Sequence, residues 1–315
     1  MSESLVSSSS TLRPRPRLTA PARRQARSEA LSGWILASPA MVLMAMLILL
    51  PMLAVVWFSL TDYQLGYPGA IFIGLENYRA LLDDPLFLTS LGNTLLYTAI
   101  VAPLSVALGL GAALLIESET RGRAFFRTVY FLPVASLLVA MATVWQYLMH
   151  PQIGMINQML ALVGLEGRNW LGSSDTVLWS LAAIGVWQSV GFNMVLFLAG
   201  LTAIPRELYA AARIDGAASA WQRFRLVTWP LLGPTTLFVL VISVINAVKV
   251  FETVKTLTEG GPNKASEVLL YTIYQEGFSY LQVGYASAMT VVFLAILMVA
   301  MLIQYLVINR RTHYQ

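Results

Sequence analysis

The chain has no cysteine and only two histidines, His150 and His313, far apart in sequence. The first absence removes disulfide frameworks, thiolate metal sites and thiol nucleophiles together. The second argues against a histidine metal cluster. Charge is scarce too: Asp, Glu, Lys and Arg make up 11% of the 315 residues, and hydrophobic residues 57%. Soluble domains carry about 25% charged residues. This balance excludes a water-soluble globular protein, and so high an apolar content excludes a chain disordered throughout. Neither GxxxxGK[ST] nor HExxH occurs, so the chain has no phosphate loop of its own and no zinc-protease signature. Ser189-Val190-Gly191 resembles half a nucleophile elbow, but Trp187 stands where glycine is required. Gly109-Leu110-Gly111 lies inside an apolar run, where close helix packing accounts for it.

What the chain has is long apolar blocks. A helix needs about 20 apolar residues to cross the hydrocarbon core. Six segments qualify: 34–60, 91–116, 128–149, 176–203, 231–251 and 284–308. They describe an all-α membrane protein with six transmembrane helices, over 34–309. Residues 1–33 read as a disordered basic tail, and 310–315 as a short C-terminal tail. A secretory signal is the rival reading of the N-terminus, but the run Trp34 to Leu60 exceeds a signal core of about 7–15 residues. Asp175 and Thr176 are placed to cap the fourth span. Pro205 ends that span and Pro230 opens the fifth. Pro51, Pro103 and Pro133 lie within spans, and each is expected to kink its helix.

The net charge of +4 hides a partition. Fifteen basic residues fall on one side: six arginines in the tail, Arg121, Arg123 and Arg127, then Arg206, Arg213, Arg223 and Arg225, then Arg310 and Arg311. Five fall on the other: Arg79, Arg168, Lys249, Lys255 and Lys264. Basic residues stay inside, so both termini are cytoplasmic. The outer loops are substantial, and Tyr271, Tyr274 and Phe278 have helical spacing in the last of them. Aromatics at headgroup level or ligand contacts both fit that stretch.

Intramembrane polar groups usually face a cavity or a partner. Lys249 and Glu252 are spaced i, i+3 at the outer end of the fifth span. Either they pair with each other, or Asn246, Lys249 and Glu252 line a path, with the Phe251 ring as an apolar face. Asn193, Gln146 and Gln188 are further candidates, with interhelical hydrogen bonding the plainer account. Asn193 is taken as cavity-lining.

The most informative segment is cytoplasmic, 204–230: IPRELYAAARIDGAASAWQRFRLVTWP. It predicts a helix from Arg206 to Ile214, a turn at Asp215-Gly216, and a second helix from Ser219 to Val227. Leu208, Ala211, Ala212 and Ile214 give the first helix an apolar face. That face suits either a groove of another cytoplasmic protein or the inner leaflet.

This segment resembles the EAA loop of ABC-importer permeases, in the form found in the carbohydrate-uptake branch (maltose and glycerol-3-phosphate type). FIGLENYRALL (72–82) with LGNTLLYT (91–98), FFRTVYFLP (125–133), and TEGGPNKASEVLLYTIYQEGF (258–278) with GYASA (284–288) match further family segments in order. Two departures stand out. Ala210 replaces the usual Glu, with Glu207 one turn earlier at a different family position. Ten residues separate Gly216 from Val227, one more than the family usually has.

The resemblance implies a type I ABC-importer permease fold in the bacterial cytoplasmic (inner) membrane. It implies a second permease subunit as heterodimer partner, two ATPase subunits that bind ATP and Mg, and an extracytoplasmic solute-binding protein. Membrane lipid surrounds the chain, and no nucleic acid is involved. The chain itself would hold no cofactor and no metal and would catalyse nothing. Glu207, Ala210, Ala211, Ala212, Asp215 and Gly216 would form the ATPase-coupling surface. The solute would be a sugar or sugar-like compound, and a cavity lysine would also suit an anionic head group. An ion-coupled secondary carrier and a membrane enzyme acting on lipid-linked substrates are the alternatives. The first calls for internal repeats and the second for convergent acid, base or metal ligands.

Overall fold

The computed structural model describes residues 20–118 and 122–309. Every regular element among them is helical, and the one β feature is an isolated bridge between Thr61 and Phe72. The chain divides after Ala54 into two units. In the first, α1 (Ala20–Met44) passes through a π turn (Ala45–Leu49) into α2 (Leu50–Phe58), which ends in the second unit. The expected irregular tail is therefore corrected for residues 20–33, which are helical; residues 1–19 and 310–315 lie outside the described part. Ala, Arg, Gln and Glu crowd this stretch and favour helix. The span that follows has already nucleated one, and propagation is easy. Pro51 sits just beyond the π turn, so its missing N–H falls beside an existing irregularity of the ladder.

The second unit holds α3 (Glu76–Asp83), α4 (Pro85–Ser118), α5 (Arg123–Ala135), α6 (Leu138–Leu148), α7 (Met155–Leu162), α8 (Val177–Thr202) and α9 (Arg206–Ile214). It continues with α10 (Ala220–Arg223), α11 (Trp229–Leu231), α12 (Gly233–Val248), α13 (Glu252–Leu257), α14 (Leu269–Tyr274) and α15 (Val283–Asn309). Among the described residues, five stretches are long and apolar enough to cross a membrane: Leu31–Phe58, Pro85–Ser118, Val177–Thr202, Gly233–Leu257 and Val283–Leu306. The sixth is a pair, α5 and α6, bent by 98°.

That bend corrects the expected single span over 128–149. Pro133 cannot continue the ladder, and α5 stops two residues later. Ser136 is extended there, and its hydroxyl donates to the Pro133 carbonyl at 2.7 Å. Pro103 behaves differently, since α4 runs through it unbroken. Its neighbours Val101, Ala102, Ser105 and Val106 are buried, and packing on adjacent helices holds the helix.

Helices α4, α8 and α12 pack together at the centre of this unit. Gly109 sets the approach of α4 to α8. A Cβ there would stand 2.7 Å from Asn193 Cβ and 3.1 Å from the Met194 nitrogen. Close packing is thus what Gly109 serves, whereas a Cβ at Gly111 would meet nothing within 4 Å.

The outer loops are stitched by side chains to backbone. Asn77 Nδ2 donates to the carbonyls of Ser59 and Thr61 at 3.0 and 2.9 Å. Asn157 donates to the Pro151 and Arg168 carbonyls and accepts from Arg168 N and Trp170 Nε1. Thr176 was expected to cap α8. Its hydroxyl instead donates back to the Asn169 and Trp170 carbonyls, tying the loop down. In the last loop Glu267 is fully buried, accepting from Lys264 Nζ and Thr272 Oγ1, each at 3.2 Å. Asn93 of α4 donates to the carbonyls of Lys264 and Glu267, joining that loop to the bundle. The aromatic stretch forms the expected short helix, α14, and continues as a π turn over Gln275–Ser279. There, burial pushes the Glu276 carboxyl above its ordinary value, Asp84 adds repulsion, and Lys264 opposes both.

Gly109→Ala drives a methyl into α8 backbone and should lower stability by about 1–3 kcal/mol. A thermal midpoint equal to that of the parent chain would contradict the close approach.

Candidate functional site

Two places hold the candidate residues, and α8 connects them. The first is the cytoplasmic loop after Thr202. Pro205 is extended and starts α9, and Ile204 before it is buried. The predicted ends of this helix, Arg206 and Ile214, are the observed ones. It closes in a Schellman motif: Ala217 N–H donates to Ala212 O at 2.8 Å and Gly216 N–H to Arg213 O at 3.3 Å. Gly216 takes φ +92°, which suits only a residue without Cβ. Ser219 and Gln222 then form a reciprocal capping box. Arg223 Nη1 donates back to the Ala218 carbonyl at 2.7 Å. The turn between the helices is therefore fixed by five hydrogen bonds.

The second helix corrects the prediction. It is α over Ala220–Arg223 only, then a π turn over Phe224–Thr228. The apolar face of α9 is also rearranged. Tyr209 and Ala212 face inward, packing on a cluster that contains Met194, Phe197, Val227 and Leu232. The Tyr209 hydroxyl lies 3.0 Å from Thr228 Oγ1. Leu208, Ala211 and Ile214 face outward, and Ile214 is 87% exposed. Glu207, Ala210, Asp215 and Gly216 are exposed as well, while Ala212 is half-buried. The outward surface of α9 and its C-cap thus carries two carboxylates, Glu207 and Asp215, and two arginines, Arg206 and Arg213, around small and aliphatic side chains.

The second place is a cavity of about 500 Å³ enclosed by α4, α8, α12, the turn into α13, and the break between α5 and α6. All five residues singled out for a path, Asn193, Asn246, Lys249, Phe251 and Glu252, line it. Gln188 and Ser189 do too; Gln146 is not on its wall. Lys249 is the C-cap of α12 and Glu252 begins α13, so the helix is interrupted between them and the two do not share a face of one helix. Among the described residues they form no ion pair with each other. An interrupted helix brings backbone and polar side chains to a cavity wall, as in transporters generally.

Asn193 is 2% exposed, and both ends of its amide are engaged. Nδ2 donates to Ser105 Oγ and Oδ1 accepts from Ser243 Oγ, each at 3.1 Å. It touches the cavity while tying α4, α8 and α12 together. Phe251 stands edge-on to Tyr274, with centroids 5.3 Å apart. Lys255 Nζ lies 4.0 Å from the Tyr274 centroid, in cation–π contact. Lys255 and the cavity-lining Tyr97 were not singled out from the sequence. Lys255 follows Phe251 by one helical turn, a usable signal, whereas a lone tyrosine in an apolar helix gives none.

Comparison with known proteins follows this geometry. The family described as "Binding-protein-dependent transport system inner membrane component" matches residues 105–313. The sulfoquinovosyl glycerol transport system permease protein SmoG of Agrobacterium fabrum is 36% identical, covering 84% of this chain and 86% of that one. The trehalose/maltose transport system permease protein MalF of Thermococcus litoralis is 32% identical, covering 90% and 95%. In fold the chain is similar to a subunit in the crystal structure of a bacterial alginate ABC transporter in complex with alginate pentasaccharide-bound periplasmic protein. The TM-score is 0.77 at 23% identity, covering 92% of this chain and 97% of that one. The family match over residues 105–313 and the identity of these relatives over most of their length show the group: the chain is a member of the binding-protein-dependent transport system inner membrane components, and is a permease subunit of an ABC importer.

Proposed function

We propose that the chain forms half of the translocation path for a sugar or sugar-like solute in the bacterial cytoplasmic membrane. A second, related permease subunit supplies the other half. Two cytoplasmic ATPase subunits bind ATP and Mg, and an extracytoplasmic solute-binding protein delivers the solute. This chain holds no cofactor. The carrying observation is that the cavity wall gathers Asn246, Lys249, Phe251 and Glu252 at an interrupted helix. Amide, ammonium and carboxylate groups bond hydroxyls, and an aromatic ring covers C–H surface. The trehalose/maltose and sulfoquinovosyl glycerol relatives support the solute class. The second of these solutes is named for a sulfonated sugar, and Lys249 would face such an anionic group.

Coupling runs through α9. Glu207, Ala210, Ala211, Asp215 and Gly216 present the surface that an ATPase cleft receives, and Ala212 anchors it from behind. Closure of the ATPase dimer moves α9 as a rigid knob, and the bundle turns from inward-facing to outward-facing. With Ala210 in place of Glu, Glu207 and Asp215 carry the remaining negative charge on that face.

Three measurements test this reading. Co-isolation of the tagged chain with an ATPase supports it; a lone homomer with ion-driven uptake overturns it. Asp215 is exposed, so Asp215→Lys disturbs no packing, and Gly216→Pro forbids φ +92°. Each should reduce ATP-driven uptake by about tenfold or more, a coupling loss of the usual size; for Asp215→Lys the thermal midpoint should be unchanged. Normal uptake in both would remove the coupling assignment. Lys249→Ala should weaken solute-dependent stimulation of the ATPase by about tenfold. An unchanged response would take Lys249 off the solute path.

A further inference from the structure

Two further cavities meet at the outer end of α8. One, of about 440 Å³, lies under the 150–174 loop and is lined by Trp145, Trp170, Trp179, Arg168 and Asp175. The other, of about 690 Å³, is a groove between α4, α5 and α8, with Leu104, Leu108, Pro133, Val186 and Val190 on its walls. Trp179 and Ala183 line both, so the two adjoin. We propose that together they bind one aminophospholipid of the outer leaflet, with its headgroup among the tryptophans and an acyl chain in the groove.

The depth fits. From Trp179 to Val190 the axis of α8 advances about 16 Å. One leaflet of a ~30 Å hydrocarbon core is about as thick. Three tryptophans at the groove mouth match the headgroup level, where indoles concentrate.

The polar groups fit as well. Trp145 Nε1 is buried and has no hydrogen-bond partner. Trp170 Nε1, by contrast, is already used by Asn157 at 2.8 Å. A buried donor left unpaired is unfavourable, and a phosphate oxygen would satisfy it. Among the described residues, neither the Arg168 guanidinium nor the Asp175 carboxylate has an ion-pair partner. One cation and one anion at the same mouth complement a zwitterion: phosphate toward Arg168, ammonium toward Asp175 and the indole faces. A free saccharide would occupy the mouth but leave the apolar groove empty. A lipid fills both.

Native mass spectrometry tests this on the full chain, purified with its co-isolating subunits, delipidated, and offered phosphatidylethanolamine or phosphatidylglycerol. The expected result is one phosphatidylethanolamine retained per chain. Arg168→Ala should lower retention about tenfold, the effect of losing one charge-assisted contact. Asp175→Asn should erase the preference for ethanolamine over glycerol headgroups. Ala183→Trp, placed where the cavities join, should block binding. Phosphatidylethanolamine with a photoreactive acyl chain should label residues 182–190 in the parent chain. Equal retention in the parent and Arg168→Ala overturns the proposal, whether or not Ala183→Trp folds. So does labelling spread evenly over all spans. A disulfide from Leu108→Cys to a helix of another subunit would show that protein fills the groove, and would also overturn it.

Discussion

One buried amide holds the bundle in register. Asn193 joins Ser105 of α4 to Ser243 of α12 through the two ends of its side chain. Each such bond contributes only about 1 kcal/mol in a membrane. The alternative is an unsatisfied amide among apolar side chains, which is far less favourable. Sliding α4 or α12 along α8 therefore breaks one of these bonds and leaves one end of the amide unsatisfied. Gly109 makes the arrangement possible, because any side chain there would displace Asn193. Met194, the next residue, belongs to the cluster on which Tyr209 and Ala212 of α9 rest. The cavity wall and the cytoplasmic knob thus share adjacent residues of one helix.

The sequence made some of this visible through punctuation. Pro205 and Asp215-Gly216 bracket α9, and its limits match. The long apolar runs disclosed the spans for the same reason: length and composition are local properties. Breaks without local markers stayed hidden. Nothing in Lys249-Val250-Phe251 disfavours helix, yet the chain leaves α12 there because Val250 and Val254 bury themselves in the cluster around Tyr97 and Leu181. Pro133 announced a kink, but its size depends on what α6 packs against, which includes the distant α13. The path residues were chosen for being polar within spans, and they do converge. They do so through an interruption, not through a shared helical face. On α9, apolarity alone could not tell the inward side from the outward one, and the smaller Ala212 went in while Ile214 stayed out.

The outer surface is built on another principle. Beside the apolar residues its loops bury, Asn77, Asn93 and Asn157 bind backbone carbonyls across loop and helix. Buried Glu267 plays the same part for the loop before α14. These bonds order long connections that would otherwise carry a high conformational entropy. The result is an outer rim tied by hydrogen bonds around a cavity whose wall includes an interrupted helix.

The π turn at Phe224–Thr228 has a consequence for the length of the cytoplasmic loop. Its closing bond runs from Trp229 N–H to the Phe224 carbonyl, a ring one residue larger than an α turn. By the family resemblance, the segment from Gly216 to Val227 is one residue longer than usual, and a wide turn has room for an extra residue locally, like a pleat in cloth. Val227 and Thr228 are buried, and Tyr209 meets Thr228. A change of loop length at such a turn leaves the direction of the fifth span to the packing of Val227 and Thr228.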